Sequence, residues 1–236
     1  MKILVSDYDE TFAYGKQLEE NGKAVQNWRD AGNLFVIATG RTYGDFFSLF
    51  EQNEPIPCDY VILNHGATIL DCANQVLYAH PIDPKVISNL QEYLPVLFTY
   101  PNNFYSSIKE SRVLLDHPHV TKLHIACNSV ALAKQYQRMV EKSWKQDLST
   151  MVISRSGSLE LVASGVNKAS AIEVLLRKLS LPRTCVYTVG DDYNDLEMLI
   201  LFHGASMMNA TSEVYQQIPY HVPSVASYIN MLLQEP

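Results

Sequence analysis

Two aspartates directly follow a short apolar run near the beginning of the chain. Asp7 and Asp9 come after Ile3-Leu4-Val5 and belong to the segment Asp7-Tyr8-Asp9-Glu10-Thr11. Side chains at positions i and i+2 of an extended chain lie on the same side, so the two carboxylates point together from the end of the predicted strand. Two neighbouring carboxylates repel each other unless a cation lies between them or one of them holds a proton. The pair therefore predicts a Mg²⁺ site with one aspartate in acid/base chemistry.

Thr39 and Gly40 follow a second apolar run, Phe35-Val36-Ile37-Ala38. A threonine hydroxyl can donate to a phosphate oxygen, and a glycine lets backbone amides approach that oxygen closely. The same dipeptide is common in ordinary turns after strands, so both interpretations stay open. We expect the dipeptide to lie at the same sheet edge as Asp7, where open parallel sheets bind ligands, and this position supports the phosphate interpretation.

Lys168 begins a predicted helix directly after Asn167. The helix macrodipole disfavours a basic residue in the first turn, which suggests that Lys168 shares an anion with the helix N-terminus. The alternative is a lysine that is simply exposed to solvent.

A cluster of acidic residues follows a late run of apolar and β-branched residues, in Val189-Gly190-Asp191-Asp192-Tyr193-Asn194-Asp195. Asp191 and Asp195 lie four positions apart, so they share one helical face if the helix has begun there, near the positive end of its dipole. Helix capping explains one or two of these acids but hardly three with an asparagine. We predict that Asp191 is a metal ligand.

Short apolar runs and longer amphipathic segments alternate at both ends of the chain, which predicts a parallel sheet covered by helices on both faces. The middle differs, with a hairpin of Thr68–Leu70 and Val76–Tyr78 and then strands around 113–115, 123–125, 151–153 and 159–161. We predict an α/β core of residues 1–80 and 157–236 and an inserted α+β domain of residues 81–156. The proline-rich entrance at Pro81 and Pro84 and the polar exit 154–157 are its expected hinges.

The composition of the 236 residues excludes several classes of protein. Hydrophobic residues make up 47%, the net charge is −7 and the pI is about 5.5, so nucleic acids and anionic membranes are poor partners. No apolar run approaches the length of a signal peptide or a membrane span, and we expect a cytoplasmic protein that is a monomer or a weak homodimer. Four scattered cysteines without a C-x-x-C pair are expected to be reduced and mostly buried.

Taken in chain order, these motifs resemble those of the haloacid dehalogenase (HAD) superfamily, in its Cof-like phosphatase branch with a type IIB cap. The resemblance covers nearly the whole chain and implies a Rossmann-like parallel-sheet core with the insertion acting as a lid. The matching segments are Asp7-x-Asp9-x-Thr11, Thr39-Gly40-Arg41, Asn64-His65-Gly66-Ala67, Asn167-Lys168, Gly190-Asp191-x-x-Asn194-Asp195 and Met207-x-Asn209-Ala210.

The resemblance implies a role for each matched residue. Asp7 would be the nucleophile and Asp9 the general acid/base, with Thr39 and Lys168 as catalytic phosphate ligands. Further residues would bind the phosphate or the substrate, namely Gly40, Arg41 and Asn194. The Mg²⁺ ligands would be Asp7, the backbone carbonyl of Asp9 and Asp191, supported by Asp195 and Asn194. Arg41 has a second interpretation, a structural ion pair.

These roles predict a HAD-type phosphoric monoester hydrolase that uses Mg²⁺. Its substrates would be small phosphorylated metabolites such as sugar phosphates, hydrolysed through an aspartyl-phosphate. A phosphotransferase or mutase acting on phosphosugars is an alternative, in which the lid retains an acceptor other than water. A regulator that binds a phosphometabolite without turnover is another.

Several residues depart from the family pattern or lie beside the site. Glu10 stands where the branch usually has glycine, and we expect its side chain to point to solvent. His65 either contacts the leaving group or is a solvated loop residue. Aromatic residues of the insertion either line a specificity pocket or form the core of that domain, and these are Phe98, Tyr100, Phe104 and Tyr105.

Overall fold

Strands from both ends of the chain alternate with helices and join in one sheet. The computed structural model describes residues 1–49, 56–153 and 155–234. Within these residues the strands are β1 (Ile3–Ser6), β2 (Leu34–Ala38), β3 (Tyr60–Leu63), β4 (Thr68–Asp71), β5 (Val76–Ala79), β6 (Phe104–Ser106), β7 (Lys122–Ile125), β8 (Leu148–Ile153), β9 (Ser158–Ala163), β10 (Val186–Gly190), β11 (His203–Met207) and β12 (His221–Val222).

The helices of the same residues connect and cover these strands. They are α1 (Leu18–Asp30), α2 (Tyr43–Phe47), α3 (Pro84–Tyr93), α4 (Val130–Trp144), α5 (Lys168–Leu179), α6 (Leu196–Leu201), α7 (Ser212–Gln217) and α8 (Val225–Gln234). None of the helices in the described part of the chain has both the length and the apolar character needed to span a bilayer.

The larger sheet has eight strands in the order β12-β11-β10-β1-β2-β3-β4-β5. The strands from β12 to β3 in this order are parallel. The last two, β4 and β5, are antiparallel and form the predicted hairpin. The predicted α/β fold with a parallel-sheet core is confirmed, and the central place of β1 puts Asp7 in the middle of the carboxyl edge of the sheet.

Apolar side chains cover the larger sheet on both faces. Leu4 of β1 packs on one face with Trp28 of α1 and Phe35 of β2. Its neighbour Val5 packs on the other face with Ile172 of α5. Strands buried on both faces need consecutive apolar residues, which explains the uninterrupted apolar runs at the two ends of the chain.

A second sheet of four antiparallel strands, in the order β6-β7-β9-β8, lies in the middle of the chain. The predicted domain boundary at residue 156 divides this sheet, because β9 pairs with both β7 and β8. We therefore propose that the inserted unit, here called the cap, extends through Ala163. Ser154, the first residue of the predicted hinge 154–157, lies outside the described residues.

The predicted strand around residues 113–115 does not form. Val113 makes one isolated bridge to Tyr105, and Leu114 is 78% exposed. An apolar triplet becomes a strand only where a partner strand continues beside it, and the neighbouring β6 has three residues. The prediction for the cysteines is wrong in part, because all four are free but only Cys127 is fully buried and Cys72 is exposed.

Hydrogen bonds join the cap to the carboxyl edge of the larger sheet. The side chain of Asn64, which follows β3, donates to Thr121 Oγ1 at 3.1 Å and accepts from Ser106 Oγ at 3.1 Å. Asn64 is fully buried, so both of its amide groups need these partners from the cap. The cap thereby encloses the sheet edge at which the predicted site residues lie.

Candidate active site

Most of the predicted site residues line a cavity between the sheet edge and the cap, whereas Lys168 and Asp195 are buried beside it. Asp7 follows β1, Thr39 follows β2 and Asp191 follows β10, and these three strands are neighbours. The cavity has a volume of about 410 Å³ and is lined by residues of both units. This volume is sufficient for a small metabolite.

Three buried carboxylates lie together at this sheet edge, and two of them, those of Asp7 and Asp191, line the cavity. One ligand oxygen from each of Asp7, Asp191 and Asp195 lies within 4.8 Å of the other two. Asp7 is 7% exposed, Asp191 2% and Asp195 0%. Burial raises the pKa of Asp7 well above its ordinary value. The charge of Lys168 lowers this pKa, but the charges of Asp195 and Asp191 raise it further. Burial, followed by the charge of Asp195, raises the pKa of Asp191 to about 6.

Lys168 lies among these carboxylates and is not the exposed lysine of the alternative interpretation. Its Nζ donates to Asp7 Oδ1 at 2.5 Å and to Asp195 Oδ1 at 2.6 Å, and the residue is 1% exposed. Asn167 and Ser170 form a capping box, so α5 begins at Lys168. The capping box thereby fixes the position of the Lys168 backbone from which the side chain extends. Burial alone would lower the pKa of Lys168, but Asp195 and Asp7 outweigh it, so the ammonium group stays charged.

Asp195 organises the loop after β10. Its Oδ2 accepts hydrogen bonds from the backbone N–H groups of Asp191 and Asp192 at 3.1 and 3.2 Å. A Cβ atom at Gly190 would lie 2.6 Å from the carboxyl carbon of Asp195, so this close approach requires a glycine. The geometry favours a supporting role for Asp195, because both of its oxygens already accept hydrogen bonds.

Asp9 and Arg41 form an ion pair at the edge of the cavity. Arg41 Nε donates to Asp9 Oδ2 at 2.9 Å and Arg41 Nη2 donates to Asp9 Oδ1 at 2.7 Å. Arg41 was predicted either to bind the substrate or to form a structural ion pair, and in this structure it forms the ion pair. The prediction that the two carboxylates point together is wrong, because β1 ends at Ser6 and the chain is no longer extended at Asp9. The carboxylate of Asp9 points to this arginine, whereas that of Asp7 points to Lys168.

Thr39 and Gly40 line the same cavity as Asp7. Thr39 is 1% exposed but lines the cavity, and its Oγ1 accepts from the backbone N–H of Arg41 at 3.2 Å. The hydroxyl proton therefore remains for another acceptor. A Cβ atom at Gly40 would lie 2.3 Å from the ring of His65, so only glycine fits there.

A buried polar network on the cap side of the cavity was missed by the sequence analysis. Glu160 of β9 contacts His65 Nε2, accepts from Lys122 Nζ at 3.1 Å and pairs with His124 Nδ1 at 2.8 Å. Lys122 Nζ also donates to the carbonyl oxygen of Gly40 at 2.6 Å. The signal in the sequence is the alternation of Lys122 and His124 within an otherwise apolar strand, which places both side chains on one face.

The remaining predicted residues differ in their surroundings. Asn194 lines the cavity, and its Nδ2 lies 3.5 Å from His65 Nδ1. His65 is 2% exposed, so it is not a solvated loop residue. Glu10 is partly exposed as expected, but its Oε1 also lies 3.3 Å from Nη1 of Arg155 in the cap.

The aromatic residues of the cap divide between the two interpretations. Phe104 lines the cavity and stacks on His124 with ring centroids 4.3 Å apart. The other three pack against the apolar core of the cap, and these are Phe98, Tyr100 and Tyr105.

Comparison with known proteins identifies the family of this fold and site. The sequence matches the haloacid dehalogenase-like hydrolases over residues 4–109 and 96–227, and the chain belongs to this family. The phosphatase YwpJ of Bacillus subtilis is 24% identical, with 91% of this chain and 92% of the relative covered. The 5-amino-6-(5-phospho-D-ribitylamino)uracil phosphatase YcsE of the same organism is 24% identical, with 93% and 89% covered.

The solved structures show the same fold. A haloacid dehalogenase-like hydrolase from B. subtilis superposes with a TM-score of 0.79 at 18% identity, and all of both chains is covered. The predicted membership of the HAD superfamily is confirmed, and the chain is a hydrolase of this family.

Proposed function

We propose that the protein is a Mg²⁺-dependent phosphatase that hydrolyses small phosphomonoesters, such as sugar phosphates or related metabolites. The observation that carries the proposal is the buried ammonium group of Lys168, shared by Asp7 and Asp195 at the sheet edge beside Asp191. The two curated relatives named above are both phosphatases, and one is named for a phosphorylated small metabolite. The cap would act as the lid over this site.

The donor set fits a divalent cation. Asp7, Asp191 and Asp195 bring three carboxylates to one place, and Lys168 is the only fully buried cation beside them in the described part of the chain. Asp7 and Asp191 would hold Mg²⁺ with the backbone carbonyl of Asp9, and Asp195 would support them. When bound, Mg²⁺ would reduce the repulsion between the phosphate dianion and the Asp7 carboxylate.

The residues of the chain would then divide the reaction between them. Thr39 and Lys168 would bind the phosphate oxygens, while an Asp7 oxygen forms a bond to phosphorus as the ester P–O bond breaks. Asp9 would protonate the leaving oxygen and later take a proton from the water that hydrolyses the aspartyl-phosphate. Because both carboxylate oxygens of Asp9 accept hydrogen bonds from Arg41, this role requires Asp9 to leave Arg41 when the substrate binds.

Release of inorganic phosphate tests the proposal directly. We expect the purified protein to release phosphate from an aryl phosphate and from phosphorylated sugars with Mg²⁺, and to stop when EDTA is in excess. A folded protein that releases no phosphate from any of these compounds would contradict the proposal. Addition of a sugar alcohol distinguishes the phosphotransferase, because only a transferase would form a new phosphoester at the expense of free phosphate.

Thermal unfolding tests the metal site without turnover. We expect millimolar Mg²⁺ to raise the Tm of the wild type by several degrees, because a cation bound to the folded state alone stabilises that state. Asp191→Asn removes a charged ligand and should abolish most of this shift. Asp116→Asn, at an exposed position outside the cavity, is the matched control and should keep it. An Asp191→Asn protein with an undiminished shift would exclude Asp191 as a ligand.

A further inference from the structure

The polar network around Glu160 has no role in the chemistry proposed above, although it contacts the backbone of the phosphate-binding residues. Lys122 of β7 and Glu160 of β9 belong to the cap and are 3% and 6% exposed. Buried ion pairs contribute little to stability compared with apolar residues of similar volume, so stability alone does not account for this pair. Lys122 Nζ also donates to the carbonyl oxygen of Gly40 in the core, at 2.6 Å. The network therefore ends on the segment Thr39–Arg41, here called the phosphate segment.

Hydrogen bonds from the core hold the two outer carbonyl groups of the phosphate segment. The carbonyl oxygen of Thr39 accepts from the backbone N–H of His65 at 3.1 Å, and that of Arg41 accepts from the backbone N–H of Asn64 at 2.9 Å. Asn64 and His65 adopt left-handed backbone conformations, with φ of 50° and 57°, which are uncommon outside glycine. Such conformations persist where the surrounding structure requires them. The turn after β3 is thus shaped to hold this segment.

The middle carbonyl group, that of Gly40, depends on the cap. Among the described residues, Lys122 Nζ is the only donor to it. Because glycine has access to many backbone conformations, this hydrogen bond restricts the peptide between Gly40 and Arg41 to one orientation. Lys122 is in turn held by Glu160, whose Oε1 accepts from Nζ at 3.1 Å. Burial alone would raise the pKa of Glu160, but Lys122 and two histidines outweigh burial and lower it, so the carboxylate stays ionised.

The orientation of this peptide determines which groups can donate to a phosphate. The C=O and N–H groups of a trans peptide point in opposite directions, so the N–H of Arg41 points away from Lys122. It donates to Thr39 Oγ1 at 3.2 Å, and this contact leaves the hydroxyl hydrogen of Thr39 for another acceptor. The N–H of Gly40 has no acceptor in the described part of the chain, and Thr39 and Gly40 both line the cavity. The segment thus offers a hydroxyl group and a backbone N–H to phosphate oxygens.

We propose that Lys122 is a positioning residue for phosphate binding. Through the carbonyl group of Gly40 it holds the phosphate segment so that Thr39 Oγ1–H and the Gly40 N–H donate to the phosphate. Lys122 itself contacts neither the phosphate nor the leaving group, and Glu160 keeps it in this position. The inference rests on the proposed phosphatase function and deepens it, because it makes phosphate affinity depend on a residue of the cap.

Binding of inorganic phosphate, measured by titration calorimetry with Mg²⁺, tests this inference. Lys122→Met removes the donor to Gly40. We expect it to raise the Kd for phosphate at least about tenfold, because hydrogen bonds to a charged acceptor are lost. Lys142→Met, at an exposed position of α4 outside the cavity, is the matched control and should leave the Kd unchanged. A Lys122→Met protein that binds phosphate as tightly as the wild type would overturn the inference.

A double variant separates positioning from a direct effect of the Lys122 charge. Lys122→Met combined with Glu160→Gln removes one positive and one negative charge, so the net charge of the cavity wall is unchanged. Positioning predicts that this variant still loses about tenfold in phosphate affinity. If Lys122 acted through charge alone, the double variant would bind phosphate like the wild type, and the inference would be overturned. The double variant has no unpaired buried carboxylate, so it decides the question even if Lys122→Met fails to fold.

Rates with two esters test whether Lys122 acts on the phosphate or on the leaving group. The kcat/KM of Lys122→Met should fall by a similar factor for an aryl phosphate and for a sugar phosphate, since both carry the same phosphate group. A loss confined to one of the esters would place Lys122 against the leaving group and overturn the inference.

These measurements also distinguish the inference from the phosphatase proposal. A wild type that binds phosphate but hydrolyses none of the esters would contradict the phosphatase proposal, and the Kd values of the variants would still decide the inference. Unchanged Kd values in variants of an active wild type would overturn the inference alone. A wild type that binds no phosphate would overturn the inference whatever its rates.

Discussion

Asp7→Asn is expected to reduce Mg²⁺-dependent phosphate release by at least about a thousandfold, because an amide cannot form the covalent bond to phosphorus. The substitution keeps the size of the side chain and an acceptor for Lys168 Nζ, which lies 2.5 Å from Asp7 Oδ1. Initial rates with an aryl phosphate in excess Mg²⁺ measure the effect. Residual activity above a few per cent of the wild type would exclude Asp7 as the nucleophile.

The same variant should be more stable than the wild type when no metal is bound. Because burial raises the pKa of Asp7, the folded state still holds a proton at pH values where the unfolded state has already released it. The stability of the folded state therefore decreases as pH rises through the folded pKa of Asp7. At pH 8 a neutral asparagine avoids the buried charge. We therefore expect a higher Tm for Asp7→Asn in EDTA, together with lost activity. Asp116→Asn again serves as the control and should change neither quantity.

Lys168→Met should affect both stability and activity strongly. Lys168 is 1% exposed and donates to two buried carboxylates, and removal of one partner from a buried ion pair costs about 3–5 kcal/mol. We expect a loss of this order in the free energy of unfolding in EDTA, measured by urea denaturation. Phosphate release should fall by at least about a hundredfold, because the charge that binds the phosphate is removed.

The control for this variant lies on the same helix. Lys178 of α5 is exposed, so Lys178→Met should leave the free energy of unfolding and the rate almost unchanged. Added Mg²⁺ should recover part of the stability lost in Lys168→Met, since a cation can again neutralise the carboxylates. If Lys168→Met is as stable as the wild type in EDTA, the buried ammonium group does not hold the site together.

The positions of the site residues at the sheet edge followed from local patterns. Asp7, Thr39 and Asp191 each come directly after an apolar run, and parallel strands bring their carboxyl ends to one edge. The start of α5 was equally local, because the Asn167 cap determines where Lys168 begins the helix. Such features depend on residues only a few positions apart, so a single sequence is sufficient to predict them.

The end of the cap and the partner of Arg41 did not follow from local patterns. A short strand such as 159–161, with Glu160 between two leucines, suits either sheet, and only its pairing with β7 and β8 places β9 in the cap sheet. Arg41 can pair with any carboxylate within its reach. It pairs with Asp9, 32 positions away, because β1 and β2 are neighbours in the sheet.

The amino-acid sequence by itself determined the family, the α/β core and the residues of the acidic cluster, because these depend on hydrophobic periodicity and short motifs. The tertiary structure alone decided the polar wall of the cavity. Glu160 contacts His65, 95 positions away in the chain, and Lys122 contacts Gly40 across the boundary between cap and core. These contacts form because the cap packs on the core and removes the side chains from water, and no local pattern specifies that packing.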